Sequence, residues 1–166
     1  MATQILSATQ ADWEAIRRIY RDGIRTKEAT FQTEADIPDG TSWFASKMEG
    51  LIFKAVNEEG KIIGWSALSP VSSRCVYRGV AEVSVYVDLA QHGRGVGTML
   101  LAHLIEASEE QGIWTLQAGI FPSNIASVNL HKKLGFREVG LRERLGQMDG
   151  VWRDVLFLER RSDKIG

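Results

Sequence analysis

The sequence predicts an α/β fold in which one mixed sheet is covered by helices. Three observations support this prediction. Short runs of apolar and polar residues alternate as they do in strands. Between them, apolar residues recur at helical spacing. A glycine-rich turn joins the central strand to the longest helix, and the full order of elements is predicted as βααβββαβαββ.

Length and composition limit the possible functions. The chain has 166 residues, enough for a hydrophobic core, and we expect residues 1–166 to form a single domain. A formal net charge of -1 gives no electrostatic reason to expect a nucleic acid or an anionic membrane as partner. One cysteine, Cys75, permits no internal disulfide and fits a reducing compartment. No signal segment or membrane-spanning run is visible, so we expect a cytoplasmic protein.

The N-terminal part is predicted to contain one strand and two helices. Residues 3–7 have the composition of a short strand, and Thr9 is a typical cap for the helix that follows. That helix has one apolar face, formed by Trp13, Ile16, Tyr20 and Ile24. A polar loop spans residues 26–39, and a second helix is predicted over residues 41–50.

The middle of the chain is predicted to form three strands and the longest helix. Residues 51–57 and 61–68 are typical of strands, and the turn between them indicates a hairpin. In the next strand, residues 82–87, alternation places Val83, Val85 and Val87 on one face and Glu82, Ser84 and Tyr86 on the other. Helical spacing then predicts a helix over residues 96–110, closed by Gly112.

The C-terminal part completes the sheet. Residues 114–120 are predicted to form a strand, and residues 126–134 a short helix. Two further strands are predicted over residues 136–141 and 151–158, with a turn at residues 148–150.

The glycine-rich turn carries the strongest functional signal. It reads Gln91-His-Gly-Arg-Gly-Val-Gly-Thr98 and opens a helix, so free N–H groups and the positive end of the helix dipole face one point. A phosphate or pyrophosphate is the natural occupant. The turn lacks the lysine of a Walker loop, and its glycine spacing does not match the dinucleotide fingerprint. An ordinary glycine-rich turn is the alternative.

The turn resembles the pyrophosphate loop of the GNAT acyl-CoA-dependent N-acetyltransferases, Gln/Arg-x-x-Gly-x-Gly/Ala. His92-x-x-Gly95-x-Gly97 fits this pattern except for the histidine in first position. A second stretch, Asn124-Ile-Ala-Ser127 with a later Leu-Gly-Phe, resembles the family's other motif. The resemblance implies the GNAT fold, with a mostly antiparallel sheet flanked by helices, and acetyl-CoA as cosubstrate. It implies a coenzyme site formed by Val85, Tyr86, Val87, Gly93, Arg94, Gly95, Val96, Gly97, Thr98, Asn124 and Ser127.

Other residues resemble one branch of that family, the phosphinothricin and methionine sulfone or sulfoximine N-acetyltransferases. They are Ile19-Tyr20, residues 29–34, 81–87 and 149–155, and His131, which stands where the wider superfamily often has a tyrosine acting as general acid. The resemblance covers almost the whole chain. It implies direct acetyl transfer to a small amino-acid analogue, and a homodimer.

Glu82 is the candidate general base. A protonated amine cannot attack a thioester, so a carboxylate near the acceptor must take a proton. Glu82 stands in an otherwise apolar strand, where burial would tune it for that task. The alternative is a solvent-facing carboxylate on the wet side of the sheet. The residues alone do not separate the two, and the resemblance favours the general base.

The remaining groups of the reaction follow from its chemistry. Backbone N–H groups of Val83 and Val85, left unpaired by a splayed neighbouring strand, would hold the developing oxyanion. His131 would donate a proton to the leaving thiolate, although a lone helix histidine also serves as a packed or surface residue. Asn124 would donate to the coenzyme, and its alternative role is to cap the following helix.

An acceptor with a carboxylate and a polar head needs cationic partners. We expect Arg74 and Arg78 to supply them, with Tyr77 and Phe31 as walls. Arg74 and Arg78 as solvated surface residues, and Phe31 as a plug of the core, are the alternatives. No cluster of cysteine, histidine and aspartate predicts a metal site, and Cys75 is assigned no chemistry.

Two functions from different classes fit these residues. The first is an acetyl-CoA-dependent N-acetyltransferase acting on the α-amine of a small amino-acid analogue, with a peptide N-terminus or a polyamine as rival acceptors. The second is a non-catalytic acyl-CoA-binding sensor. The presence of both Glu82 and His131 favours the enzyme, because a sensor needs neither. Trp152 and its apolar neighbours are suited to a subunit interface as well as to a core.

Overall fold

A seven-stranded sheet forms the centre of the computed structural model, which describes residues 3–166. The strands are β1 (Gln4–Ser7), β2 (Ile52–Val56), β3 (Ile62–Pro70), β4 (Val80–Val87), β5 (Thr115–Ile120), β6 (Arg137–Met148) and β7 (Val151–Arg161). Their order is β1-β2-β3-β4-β5-β7-β6, and every neighbouring pair is antiparallel except β4 and β5. The predicted mixed, mostly antiparallel sheet is confirmed.

Helices cover both faces of this sheet, as predicted. They are α1 (Trp13–Arg25), α2 (Gly40–Ala45), α3 (Val96–Glu110) and α4 (Ile125–Lys133). The apolar face of α1 packs with Trp43 of α2 and Trp65 of β3 in one cluster of buried residues. The apolar face of α3 packs against the opposite side of the sheet, with Val83 of β4 in the larger cluster. Alternation along β4 therefore places its valines towards α3 and Tyr86 towards α1.

The second helix is shorter than predicted. It begins at Gly40, after Asp39, whose side chain accepts from the N–H of Ser42. It ends at Ala45, not at residue 50, because the chain then turns onto the sheet. The Met48 N–H donates to the Leu68 carbonyl of β3 at 2.8 Å, which a continuing helix does not allow.

The sixth strand is longer than predicted. We expected it to end at residue 141, but it pairs with β7 as far as Met148. An irregularity between Arg142 and Gly146 interrupts the register, and Arg144 there has a φ of 46°. Because β6 is an edge strand with mostly exposed side chains, its sequence lacks the alternation that marks a half-buried strand. The predicted turn at residues 148–150 is confirmed.

Within the described residues, none of the helices is long and apolar enough to cross a membrane.

Candidate active site

The two central strands separate in the middle of the sheet. The strand β4 pairs with β3 from Ala81 to Val87, but it pairs with β5 only from Val80 to Glu82. Beyond Glu82, one edge of β4 has no strand beside it. This is the splay that the sequence analysis predicted next to the candidate general base.

The hydrogen bonds of β4 identify the groups that face this opening. The Val80 carbonyl accepts from Val71, and the Asp88 N–H donates to Ile63, so even-numbered residues of this segment bond to β3. Because the direction of backbone groups alternates along a strand, the N–H groups of Val83 and Val85 point the other way. The Val85 N–H lies beyond the last pair with β5 and faces the opening, where a developing oxyanion requires donors. The Val83 N–H points to Gln117, at the end of the pairing with β5.

The glycine-rich turn lies at the end of the same strand. Gly93 and Gly95 have φ angles of 80° and 82°, a region that glycine adopts without strain, and α3 begins at the next residue, Val96. No acceptor in residues 3–166 takes a hydrogen bond from the N–H groups of residues 93–98. Donors left without partners at a helix N-terminus form a site for an anionic group.

A cavity of about 430 Å³ connects this turn to β4. Of the eleven residues predicted for the coenzyme, it is lined by Val85, Tyr86, Val87, Gly93, Gly95, Val96, Gly97, Thr98, Asn124 and Ser127. Only Arg94 is absent from its wall. The exposed His92, which departs from the family pattern, turns its Nε2 towards the Val87 carbonyl at 3.2 Å. We call this space the coenzyme cavity.

A second cavity of about 820 Å³ lies further along β4, where it is lined by residues 82–86, and we call it the acceptor cavity. The two cavities share the wall residues Glu28, Ala29, Val85, Tyr86, Asn124, Ser127 and His131, so they meet at the splay. Burial raises the pKa of Tyr86 well above its ordinary value, which keeps the hydroxyl neutral at this junction.

Glu82 lines the acceptor cavity, but its side chain is exposed. The expected burial of this residue is therefore wrong. The reason is that the cavity occupies the space in which a neighbouring element would cover the carboxylate. Glu82 lies where β4 and β5 part, one residue from the Val83 N–H.

His131 lies at the junction of the two cavities and is 5% exposed. Its Nδ1 lies 2.7 Å from the Ser127 carbonyl, one helical turn earlier, and its ring contacts Phe136 edge-on. Since a carbonyl only accepts, Nδ1 carries the proton and Nε2 is left as the basic nitrogen. Burial lowers the pKa of His131, so the neutral form is favoured. The predicted proton-donor role therefore requires that Nε2 first gains a proton.

Asn124 has the predicted capping role, and its contact with the coenzyme stays a prediction. Its Oδ1 accepts from the Ser127 N–H at 3.3 Å, which caps α4, while its side chain also lines both cavities. Its Nδ2 donates to the Glu28 carbonyl at 3.2 Å. The cap of α4 therefore also holds the loop that separates α1 from α2.

Arg153 of β7 fixes that loop and was missed by the sequence analysis. Its guanidinium donates to the Lys27 carbonyl and to Ser123 Oγ, and it lies 3.9 Å from the centre of the Phe121 ring. Phe31 packs edge-on against the same Phe121 and lines the acceptor cavity, as predicted. The sequence offered no signal for Arg153, because its partners lie far from it along the chain.

The other predicted acceptor contacts lie elsewhere. Arg78 donates to the Cys75 carbonyl at 3.2 Å and lies 5.6 Å from the Trp114 ring. Arg74 and Tyr77 are exposed beside it. The structure brings none of the three to either cavity of this chain, and their role as clamps stays a prediction. The cations that do line the acceptor cavity are Lys47 and Arg142.

Within the described residues, no group of His, Cys, Asp and Glu side chains is arranged to hold a metal ion.

Comparison with known proteins agrees with this geometry. Residues 5–157 match the family model described as the acetyltransferase (GNAT) domain. The chain is 34% identical over 166 residues to the L-methionine sulfoximine/L-methionine sulfone acetyltransferase of Pseudomonas paraeruginosa, covering 98% of this chain and 96% of that one. It is 31% identical over 162 residues to the phosphinothricin N-acetyltransferase of Streptomyces coelicolor, covering 95% of each chain.

A solved structure extends the likeness to three dimensions. The GNAT superfamily phosphinothricin acetyltransferase of Sinorhizobium meliloti, in complex with acetyl-CoA, superposes with a TM-score of 0.88 at 29% sequence identity. The match covers 99% of this chain and 91% of that one. Since the family model spans most of the sequence and the fold agrees along the whole chain, this protein belongs to the GNAT family of acetyltransferases.

Proposed function

We propose that this enzyme transfers the acetyl group of acetyl-CoA directly to the α-amine of a small amino-acid analogue bearing a phosphinate, sulfone or sulfoximine group. One observation carries the proposal: the coenzyme and acceptor cavities meet at Val85 and Tyr86, where β4 has lost its neighbour, and Glu82 lies in the wall of the acceptor cavity. The relatives named for methionine sulfoximine, methionine sulfone and phosphinothricin support the acceptor class.

The coenzyme cavity fits acetyl-CoA in its backbone chemistry. The free N–H groups of residues 93–98 would hold the diphosphate, as in other helix N-terminal sites. The open edge of β4 at Val85 and Val87 would pair with the amides of the pantetheine arm, as an added strand does. Such pairing would place the thioester next to Val83 and Val85.

The catalytic steps assigned to side chains begin with Glu82. Its carboxylate would take a proton from the acceptor ammonium, directly or through water, so that the free amine attacks the thioester carbon. The carbon–nitrogen bond forms, the nitrogen then loses a second proton, and the carbon–sulfur bond breaks; the second proton balances the one that the thiolate gains. The carbonyl oxygen gains negative charge during attack, and the N–H of Val85, which has no strand beside it, would stabilise it. His131 is placed to exchange a proton with the leaving thiol once Nε2 is protonated.

The experiment is an assay of thiol release from acetyl-CoA with a panel of acceptors. The panel contains phosphinothricin, methionine sulfone, methionine sulfoximine, ordinary amino acids, a polyamine and a peptide with a free N-terminus. We expect the highest kcat/KM with one of the three analogues. Preference for the peptide or the polyamine contradicts the acceptor class. Binding of acetyl-CoA in calorimetry without turnover of any amine supports the non-catalytic sensor instead.

We also propose that the enzyme is a homodimer of the cytoplasm. Large apolar side chains are exposed on β6 and β7, among them Leu145 at 50%, Val151 at 62% and Trp152 at 57%. An exposed apolar surface on these two strands is suited to a partner. Light scattering should report twice the chain mass, and Trp152→Asp should shift the protein towards the monomer. A monomeric wild type at micromolar concentration contradicts the proposal.

A further inference from the structure

Lys47 places an ammonium group in the wall of the acceptor cavity. Its Nζ donates to Ser69 Oγ at 3.2 Å and lies 5.1 Å from the centre of the Trp43 ring. The backbone on both sides is fixed, because the Lys47 N–H donates to the Phe44 carbonyl at 3.2 Å and the following N–H bonds to β3. The ammonium is therefore positioned by α2 and the sheet, with little freedom of the main chain.

This ammonium has fewer partners than it can bind. It carries three N–H groups, and Ser69 is its single hydrogen-bond partner in residues 3–166. No carboxylate in that part of the chain pairs with it. Burial lowers the pKa of Lys47, and the negative charge of Glu82 partly opposes that effect. A partly buried cation without a counter-ion is unfavourable, so a bound anion would stabilise it.

Glu82 lies across the sheet from the partner of Lys47. Ser69 and Glu82 are directly opposite in the register of β3 and β4, so their side chains project from the same face of the sheet. Lys47 and Glu82 thus both line the cavity near this position, and among the described residues no ion pair joins them. A positive and a negative group that share one wall without pairing are complementary to a zwitterion.

We infer that Lys47 binds the α-carboxylate of the acceptor and thereby directs the α-ammonium to Glu82. The inference rests on the proposed function, since it presupposes an amino-acid acceptor. Lys47 supplies binding and orientation, while the proton passes from the ammonium to Glu82. Trp43 and Trp65, which contact each other edge-on at 5.0 Å, form an aromatic wall beside the cation.

Steady-state kinetics with methionine sulfone and its carboxamide test this role. The sulfone head is neutral, so the α-carboxylate is the only anion of the first substrate, and the second lacks it. We expect Lys47→Gln to raise the KM for methionine sulfone roughly 10- to 100-fold, the effect of one charged hydrogen bond. The kcat and the KM for acetyl-CoA should change by less than about 3-fold. The carboxamide should be a poor substrate of the wild type and equally poor for the variant.

Two further variants separate binding from folding. Lys47→Arg should recover part of the lost affinity for the acid, because it retains the positive charge. Lys164→Gln removes a lysine that is 75% exposed and lines neither cavity, and it should behave as the wild type. Thermal unfolding and acetyl-CoA affinity establish that each variant is folded.

Three outcomes overturn the inference while the proposed acceptor class stands. If Lys47→Gln lowers kcat/KM equally for the acid and for the carboxamide, Lys47 has a structural role. If Lys47→Gln leaves the KM for the acid unchanged, Lys47 does not contact the α-carboxylate. A wild type that acetylates the carboxamide as efficiently as the acid rejects the carboxylate clamp, even if no Lys47 variant folds. If the wild type acetylates a peptide or a polyamine but no amino acid, the proposed acceptor class has failed and the Lys47 role fails with it.

Discussion

The coenzyme cavity and the acceptor cavity share Val85 and Tyr86 of β4, but they are built from different parts of the chain. More than half of the residues that line the coenzyme cavity come from one continuous segment, residues 85–98. The acceptor cavity is lined by residues from distant places in the chain, such as Lys47, Glu82 and Arg142. A backbone site leaves a readable motif because glycine spacing is local. A side-chain site depends on which residues the fold brings together.

The largest expected effect concerns the acceptor side. Glu82→Gln keeps the shape of the side chain but removes the proton acceptor, so kcat should fall by about 10²- to 10⁴-fold. Acetyl-CoA affinity, measured by calorimetry, should stay within about 2-fold of the wild type, because the coenzyme cavity does not include Glu82. Glu138→Gln, which alters an exposed ion pair with Lys132, is the control. Near-normal turnover of Glu82→Gln would remove the general-base assignment.

A smaller effect is expected on the coenzyme side. Gly95→Ala adds a Cβ at a φ of 82° and disturbs the free N–H groups, so the Kd for acetyl-CoA should rise about 10-fold. Gly60→Ala is the matched control, because Gly60 has a φ of 79° in the turn between β2 and β3. Both changes should lower stability by about 1 kcal/mol. If both weaken acetyl-CoA equally, the turn does not form the coenzyme site.

The third prediction concerns the loop shared by both cavities. Arg153→Gln removes the guanidinium that holds Lys27, Ser123 and Phe121, so the KM values for both substrates should rise roughly 3- to 10-fold. Arg137→Gln affects an arginine that is 68% exposed and pairs with Glu159, and it should have little effect. Limited proteolysis should cut the Arg153 variant faster near residues 26–33. If only the KM for the acceptor rises, the loop supports the acceptor cavity and not the coenzyme cavity.

The smallest effect is on stability as a function of pH. The pKa of His131 is lowered in the folded state, so below about pH 6.5 the unfolded chain binds a proton that the folded chain binds less well. The stabilising contribution of His131 is complete above that pH and is lost as the pH falls from there through the lower pKa of the folded state. His131→Gln should therefore show a flatter decline of Tm between pH 7 and 5.5 than the wild type. A steeper decline in the variant contradicts this assignment.

Sequence patterns located most elements of the fold because their signals are local. Alternation identified both faces of β4, and helical spacing gave the bounds of α3. The predicted ends of elements were wrong where a tertiary contact sets the end of a helix or strand. A hydrogen bond to Leu68 ends the turn after α2, and pairing with β7 extends β6 to Met148. Neither partner is near in sequence.

The sequence by itself determined the coenzyme turn, because glycine spacing and a helix start dictate where free N–H groups lie. It also determined that Glu82 stands in the central strand. The tertiary structure alone decided that Glu82 is exposed in a cavity, that Lys47 shares its wall and that Arg74 and Arg78 do not. The physical reason is that a side chain's neighbours are set by strand order and splay, which join residues far apart along the chain.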